Sequence, residues 1–189
     1  MADNQEVVLA LGSNQSFGDE GPSTLLRRAL QLLEVAGVVV FRQSRFFQTP
    51  CFPAGAGPDY VNAVAVVKTA LDPAALLKCL HGVEAELGRE RRARWAARTV
   101  DIDLIAYGQR VLPNLSTYTQ WRDLPLSRQM KEAPETLILP HPRLQDRAFV
   151  LVPMLDVAPE WIHPVLGLSV AQMCASLPKE SVQEVEPIL

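Results

Sequence analysis

The chain has 189 residues, 48% of them hydrophobic and 21% charged, with a formal net charge of -3. That length and apolar content make one ordinary globular domain with enough material for a core. The charge balance argues against a bulk nucleic-acid binder, which shows a clear basic excess, and no apolar run approaches the ~20 residues that cross a bilayer.

In chain order, the start MADNQE is polar and acidic, unlike a signal peptide. Residues 6–11 (EVVLAL) read as a short buried strand, ended by the turn residues Gly12, Ser13 and Asn14. Pro22 and Ser23 open a helix in which Leu25, Leu26, Ala29, Leu30, Leu32, Leu33 and Ala36 recur at helical spacing, and Gly37 ends it. Residues 38–47 are β-branched and aromatic, a second strand. Residues 49–58 hold three prolines and two glycines and must be a loop, followed by a third strand over 60–68. Asp72-Pro73 starts a second helix with the apolar stripe Leu76, Leu77, Leu80, Val83 and Leu87, closed by Gly88.

An arginine-rich loop comes next, then a fourth strand over 99–107, with Gly108-Gln109 as a tight hairpin turn into residues 110–112. Residues 113–136 are polar and lack clear periodicity; they form either a mobile excursion or a functional lid. Leu137-Ile138-Leu139 then runs into Pro140-His141-Pro142-Arg143. Asp146 is expected to cap a helix carrying Phe149, Val150 and Met154, bent by Pro153. Ser169 with Gln172 makes a capping box for a short last helix, and the tail beyond Pro178 is expected to be poorly ordered. The cysteines Cys51, Cys79 and Cys174 have no metal-ligand spacing and fit reduced thiols in a cytoplasmic protein.

The order strand, helix, strand, strand, helix, strand predicts an α+β, ferredoxin-like βαββαβ sandwich: an antiparallel sheet with helices on one face and extra C-terminal helices. The other face is then covered by loops or used for binding.

The chemistry concentrates in one stretch. Arg89, Arg91, Arg92, Arg94 and Arg98 crowd a short run that then delivers Asp101 and Asp103. On a strand, alternation puts Val100, Ile102 and Leu104 toward the core and both aspartates on the opposite face. Residues two apart on a strand lie roughly 6.5 Å apart, and such a carboxylate pair can grip two metal ions about 3.5–4 Å apart. Oxygen ligands beside a phosphate favour magnesium. Taken alone, Asp-x-Asp is common and reads first as two solvated residues on an exposed sheet face; beside the arginines, metal is favoured. The arginines could be a solvated loop, but like charges this close need a counter-anion or an extended loop, and a triphosphate is such an anion. Trp95 either packs into the core or closes over a flat ligand. There is no Walker loop and no Gly-x-Gly-x-x-Gly fingerprint, so a nucleotide has to be held by side chains and metal. His141, between prolines and near Arg143 and Arg147, is a candidate phosphate contact.

Together these residues resemble the 6-hydroxymethyl-7,8-dihydropterin pyrophosphokinase family. The resemblance runs through Leu11-Gly12-Ser13-Asn14, Thr49-Pro50, Pro58-Asp59-Tyr60-Val61-Asn62-Ala63, Glu84, Gly88-Arg89-x-Arg91, Arg94-Trp95-x-x-Arg98-Thr99-x-Asp101-x-Asp103, Pro140-His141-Pro142-Arg143, Arg147-Ala148-Phe149 and Val152-Pro153. It implies a groove across the sheet in which ATP and the pterin lie side by side with two Mg²⁺ between them. It implies that Asp101 and Asp103 hold both ions, and that Arg89, Arg91, Arg98, His141 and Arg147 serve the ATP phosphates. Tyr60, Asn62, Trp95 and Phe149 are implied to serve the pterin, with backbone around Thr49, Pro50 and Phe52. Arg89, Arg91, Arg98, Asp101 and Asp103 form the implied catalytic set. The implied reaction is transfer of the β,γ-pyrophosphoryl group of ATP to the pterin hydroxymethyl, releasing AMP, in folate biosynthesis. A monomer with small-molecule partners, without nucleic acid or membrane, is expected.

Three departures stand out. Ala96-Ala97 replaces the family's usual Gly-Pro, the excursion over 113–136 is longer than the usual link, and Pro142 replaces a tyrosine. Two rivals are another two-metal nucleotidyl- or phosphoryl-transferase and an RNA-binding sheet. The latter displays stacking aromatics on its central strands, and EVVLAL has none.

Overall fold

The computed structural model describes residues 5–51, 57–89, 98–129 and 132–188. Strand β4 (Tyr60–Thr69) is the spine. It pairs antiparallel with β1 (Gln5–Ser13) on one side. Beyond β1 lies β5 (Asp101–Tyr107), also antiparallel. On the other side of β4, β2 (Val39–Gln43) and β3 (Phe47–Thr49) follow one another along the same edge, and β6 (Glu186–Pro187) pairs with β3. With β2 and β3 together in the place of the second strand, the expected βαββαβ order is present.

The break between β2 and β3 corrects the single strand expected over 38–47. Ser44 causes it. Its backbone N–H donates to Val64 O at 2.9 Å, and its Oγ accepts the Val64 N–H at 2.9 Å. A side chain thus replaces a ladder bond, and the strand cannot run straight through.

Helices α1 (Pro22–Val35) and α2 (Pro73–Glu86) cover the first face. Leu25, Leu26, Ala29 and Leu33 of α1 and Leu76 and Leu80 of α2 meet Val7, Leu9, Leu11, Ala63, Ala65 and Ile102 of the sheet. Each fully buried leucine contributes about 1.5–3 kcal/mol relative to exposure. Asp72 caps α2, its carboxylate accepting the Ala75 N–H at 2.8 Å. Gly88, just past α2, has φ +78°, and a Cβ there would lie 2.3 Å from the Phe17 ring. Only glycine fits both the backbone and the space.

The second face is divided. One end packs against α5 (Ala148–Val157) and α6 (Val170–Ala175), where Val8, Val64, Val66 and Ile105 meet Val150, Leu151, Met154 and Met173. Loops or ligand are the expected cover of this face. The apolar C-terminal helices take one end of it and, among the described residues, leave the other end uncovered. In β5 a register shift opposite Val8 and Leu9 places both Ile105 and Ala106 on this second face.

Four other expectations change. The hairpin after Gly108 does not form: Leu112 pairs instead with Leu139, by N–H to O bonds of 2.9 and 3.1 Å. Asp146 caps no helix; it ends a 3₁₀ turn (Leu144–Asp146), and Arg147 stands at the N-cap of α5. The stretch over 113–136 contains α3 (Leu115–Arg122), capped by Asn114, and α4 (Leu126–Gln129). It is anchored by Tyr118, which is 0% exposed. The tail beyond Pro178, expected to be poorly ordered, forms α7 (Lys179–Gln183) and β6, because Val185 buries against Phe47 and Ala148, and the Ile188 N–H reaches Phe46 O at 2.8 Å. Among the described residues no helix is long and apolar enough to cross a membrane.

Candidate active site

The uncovered end of the second face is built by strand register. Asp101, Gly12 and Asn62 are cross-strand partners on β5, β1 and β4, and cross-strand partners share a face. Asp103, Ala10 and Val64 form the next row. Two strand spacings separate Asp101 from Asn62, roughly 10 Å. Gly12 keeps the floor between them bare, since a Cβ there would lie 3.2 Å from Asn62 Oδ1. One end of this floor is therefore anionic and the other offers an amide.

At the anionic end, cations crowd the aspartates. The Asp101 carboxylate is shared by Arg89 and Arg98. Arg89 also pairs with Glu84 of α2, which is 1% exposed and accepts the Ile102 N–H at 2.8 Å. Arg147 Nη1 lies 3.3 Å from Asp103 Oδ2. The His141 N–H donates to Ile105 O at 2.7 Å, which fastens that loop beside β5. The alternation predicted for β5 holds: Val100, Ile102 and Leu104 are buried, while Asp101 and Asp103 look out of the core.

The electrostatics follow. Burial works against the charge of Asp103, but His141 in its protonated form, Arg147, Arg98 and Arg89 outweigh it and hold the carboxyl below its usual range. Burial, then Arg147, pushes His141 down to about 3, against the pull of Asp103. His141 is therefore neutral. Its Nδ1 accepts the Arg143 N–H at 3.1 Å, so its own proton lies on Nε2, a donor. Burial and neighbouring Arg89 lower Arg98.

At the other end, Asn62 Nδ2 donates to Thr49 Oγ1 at 2.7 Å, and Tyr60 stands opposite Thr49. Burial raises the Tyr60 phenol, while Arg98 pulls it down, so the two ends sense each other. Pro50 follows Thr49 and is exposed. Phe149, on the first turn of α5, is 40% exposed, with the Arg147 guanidinium 5.6 Å from its ring centre. Phe52, Arg91 and Trp95 lie outside the described residues, as do Ala96-Ala97.

A cleft of about 390 Å³ opens beside Asp103, lined by His141, Arg143, Arg147, Leu77, Leu104, Trp121 and Ile138. Buried Arg143 Nε has no hydrogen-bond partner among the described residues; Asp146 is 3.6 Å away. That is a donor suited to an anion. Trp121 belongs to α3, so the excursion forms part of this wall.

Sequence reasoning missed two of these residues as site members. Glu84 was read only as part of a motif. Its signal was a carboxylate four residues after Leu80 within the apolar stripe of α2, where only a paired acid is tolerated. Trp121 gave no signal, because α3 has little amphipathic pattern.

No group of three or more metal-ligating side chains exists among the described residues. The donor set is two carboxylates whose charge is already balanced by guanidiniums. Two hard oxygen donors suit a cation such as Mg²⁺ that keeps waters and takes its remaining ligands from phosphate. The residues fit that group.

An antiparallel α+β sheet thus carries strand-borne carboxylates ringed by arginines, an arrangement whose charges suit a phosphorylated ligand. The family model for 7,8-dihydro-6-hydroxymethylpterin-pyrophosphokinase (HPPK) matches residues 8–159. A Pseudomonas aeruginosa protein named 2-amino-4-hydroxy-6-hydroxymethyldihydropteridine pyrophosphokinase is 34% identical over 179 residues, covering 95% of this chain and 96% of that one. The folic acid synthesis protein fol1 of Pneumocystis carinii is 30% identical over 187 residues, 99% of this chain but 22% of that protein. The wild-type HPPK-DHPS of Plasmodium falciparum, solved with pteroate, superposes with TM-score 0.63 at 15% identity, covering 90% of this chain and 42% of that one. The chain thus spans about a fifth and under half of the two longer proteins. It belongs to the HPPK family and is a pyrophosphokinase of folate synthesis.

Proposed function

We propose that the chain transfers the β,γ-pyrophosphoryl group of ATP to the hydroxymethyl oxygen of 6-hydroxymethyl-7,8-dihydropterin and releases AMP. The observation that carries this is the row Asp101–Gly12–Asn62. It sets a charge-compensated acidic end and an amide-bearing end on one bare floor.

In this reading, Asp101 and Asp103 hold two Mg²⁺, which, when bound, neutralise phosphate charge and help align the displacement. Arg89, Arg98 and Arg147 contact the phosphates, and Arg91 is assigned the same role. The His141 Nε2–H donates to a phosphate oxygen without adding charge. The cleft with Leu77, Leu104, Trp121 and Ile138 takes the rest of the nucleotide. Asn62 reads the donor-acceptor edge of the pterin; Tyr60, Phe149 and Trp95 supply aromatic surface, with Thr49, Pro50 and Phe52 alongside. The hydroxyl oxygen bonds to the β-phosphorus and its proton passes to solvent, the bond from that phosphorus to the α-phosphate oxygen breaks, and AMP leaves with that oxygen. Guanidiniums meet the charge that spreads in the transition state.

We also read the chain as one domain, a cytoplasmic monomer whose partners are these small molecules. The test is AMP release from ATP by purified protein, with pterin present or absent and with Mg²⁺ present or chelated. The expected result is release only with both. Release without pterin, or retention of RNA in its place, would point to the rivals.

A further inference from the structure

Asn14 sits where the two ends of the site meet. It is 3% exposed. Its Oδ1 accepts the Arg98 N–H at 2.9 Å, and its backbone N–H donates to Arg98 O at 3.1 Å. Its Nδ2 donates to Pro58 O at 3.2 Å. The partners dictate the amide's orientation: a backbone N–H only donates and a carbonyl only accepts. The β1–β5 ladder has its last register pair at Gly12 and Asp101. Asn14 then extends the pairing with its backbone N–H and its side-chain oxygen, both bonded to Arg98.

Both partners matter. Arg98 shares the Asp101 carboxylate, on the anionic side. Pro58 lies two residues before Tyr60, which faces Thr49 beside Asn62. The charge of Arg98 also reaches Tyr60. One buried amide therefore spans the segment that delivers the phosphate-side cation and the segment that delivers the pterin side.

We infer that Asn14 is a positioning residue that sets the Arg98 guanidinium in register with the Pro58–Tyr60 segment, so that the attacking hydroxyl and the β-phosphorus meet at the correct separation. Its side-chain amide is engaged by Arg98 and Pro58, so it acts through them. A 1 Å displacement of a catalytic group costs on the order of a hundredfold in rate, and only an amide bridges these two partners. Aspartate keeps the acceptor but lacks the donor; alanine lacks both. The inference rests on the proposed reading of Arg98 and of the β4 side.

The experiment compares Asn14→Ala, Asn14→Asp and Ser169→Ala in the full chain. Ser169→Ala removes the reciprocal cap of α6, remote from the site, and reports what lost stability alone does. Melting temperature, kcat, both KM values and the Kd of a non-hydrolysable ATP analogue are measured. Asn14→Ala is expected to lower kcat at saturating substrates by about tenfold or more, whereas Ser169→Ala leaves kcat within about twofold. Asn14→Asp is expected to keep analogue binding within about threefold and to raise the pterin KM by about fivefold or more, because only the Pro58 link is lost. Asn14→Ala with wild-type kcat and KM overturns the inference. So does Asn14→Asp affecting ATP and pterin equally, and that variant carries the test if alanine does not fold. Wild-type protein inactive with ATP and pterin defeats the underlying reading instead, so the two failures are distinguishable.

Discussion

His141 and His163 occupy matching turns in different surroundings. Each is followed by proline, and each uses Nδ1 to accept the N–H two residues on, at 3.1 Å in both cases. Each is buried enough for its charge to be disfavoured, His141 down to about 3 and His163 to about 4. The difference lies at Nε2. In His163 that atom meets Tyr118 Oη at 2.9 Å, with Trp161 edge-on to the ring. Nδ1 is an acceptor, so the imidazole proton is on Nε2 and donates to the phenol oxygen. This ring is closed off and neutral, and it pins the excursion to the C-terminal region. The His141 ring lines a cleft with Asp103, Arg143 and Arg147. The same turn chemistry makes a rivet in one place and a ligand-facing donor in the other. Local sequence specifies the ring's orientation; the long-range neighbours specify its use.

Asp103 is what most distinguishes the His141 surroundings. Asp103→Ala should reduce turnover by on the order of a thousandfold or more. Its side chain is 42% exposed, so the melting temperature should shift by only a few degrees. Near-normal activity of the folded variant with Mg²⁺ would show that the acidic pair is not a metal site.

Next in size is His141→Ala, which removes one neutral donor from the cleft. A fall of about ten- to a hundredfold in kcat/KM for ATP is expected, as for a lost hydrogen bond to a charged group. Melting should change little. If instead this variant unfolds while keeping normal turnover per folded molecule, the two histidines are both rivets.

His163 should behave in the opposite way, through stability and pH. Its folded pKa is about 4 against 6.5 ordinarily, so between these values the unfolded chain binds the extra proton. Its stabilising share is present above pH 6.5 and is lost as pH falls toward 4. About 2 kcal/mol should disappear between pH 7.5 and pH 5. Urea unfolding at the two pH values measures it, and His163→Gln should flatten that part of the profile. An unchanged slope in the Gln variant would remove His163 as the cause.

The smallest effect expected is at Trp121. Trp121→Ala should raise the KM for ATP by about three- to tenfold with kcat nearly intact, since one apolar wall of the cleft is lost. Deleting residues 113–136 as a whole should do more. Their helix α3 carries both the Tyr118 rivet and a cleft wall, so a deletion strikes stability and nucleotide affinity together.

What was legible in the sequence followed from local periodicity. Alternation along β5 placed Asp101 and Asp103 together, and the apolar stripes of α1 and α2 named the first core. The rest depended on chemistry between distant residues. The break at Ser44 comes from a side chain substituting in the ladder with Val64, twenty residues away. Tyr118 and His163 meet across 45 residues. The approach of Arg147 to Asp103 depends on α5 folding back onto the second face. Arginine spacing marked the charge, but the burial of Glu84, which orients Arg89 from below, required the packed helix.

The short strand β6 has a consequence beyond its size. A sheet edge with free amides and carbonyls is a template on which a foreign strand can add, the first step of aggregation. In β3 that edge lies beside Thr49, at the mouth of the open face, and the chain's own β6 occupies it. The protein thereby shields a vulnerable border without lengthening the sheet, and Val185 buried beneath it fixes the shield in place. Proteolytic loss of these residues would uncover the border next to the substrate groove, so damage at that point would threaten solubility before it reached the chemistry.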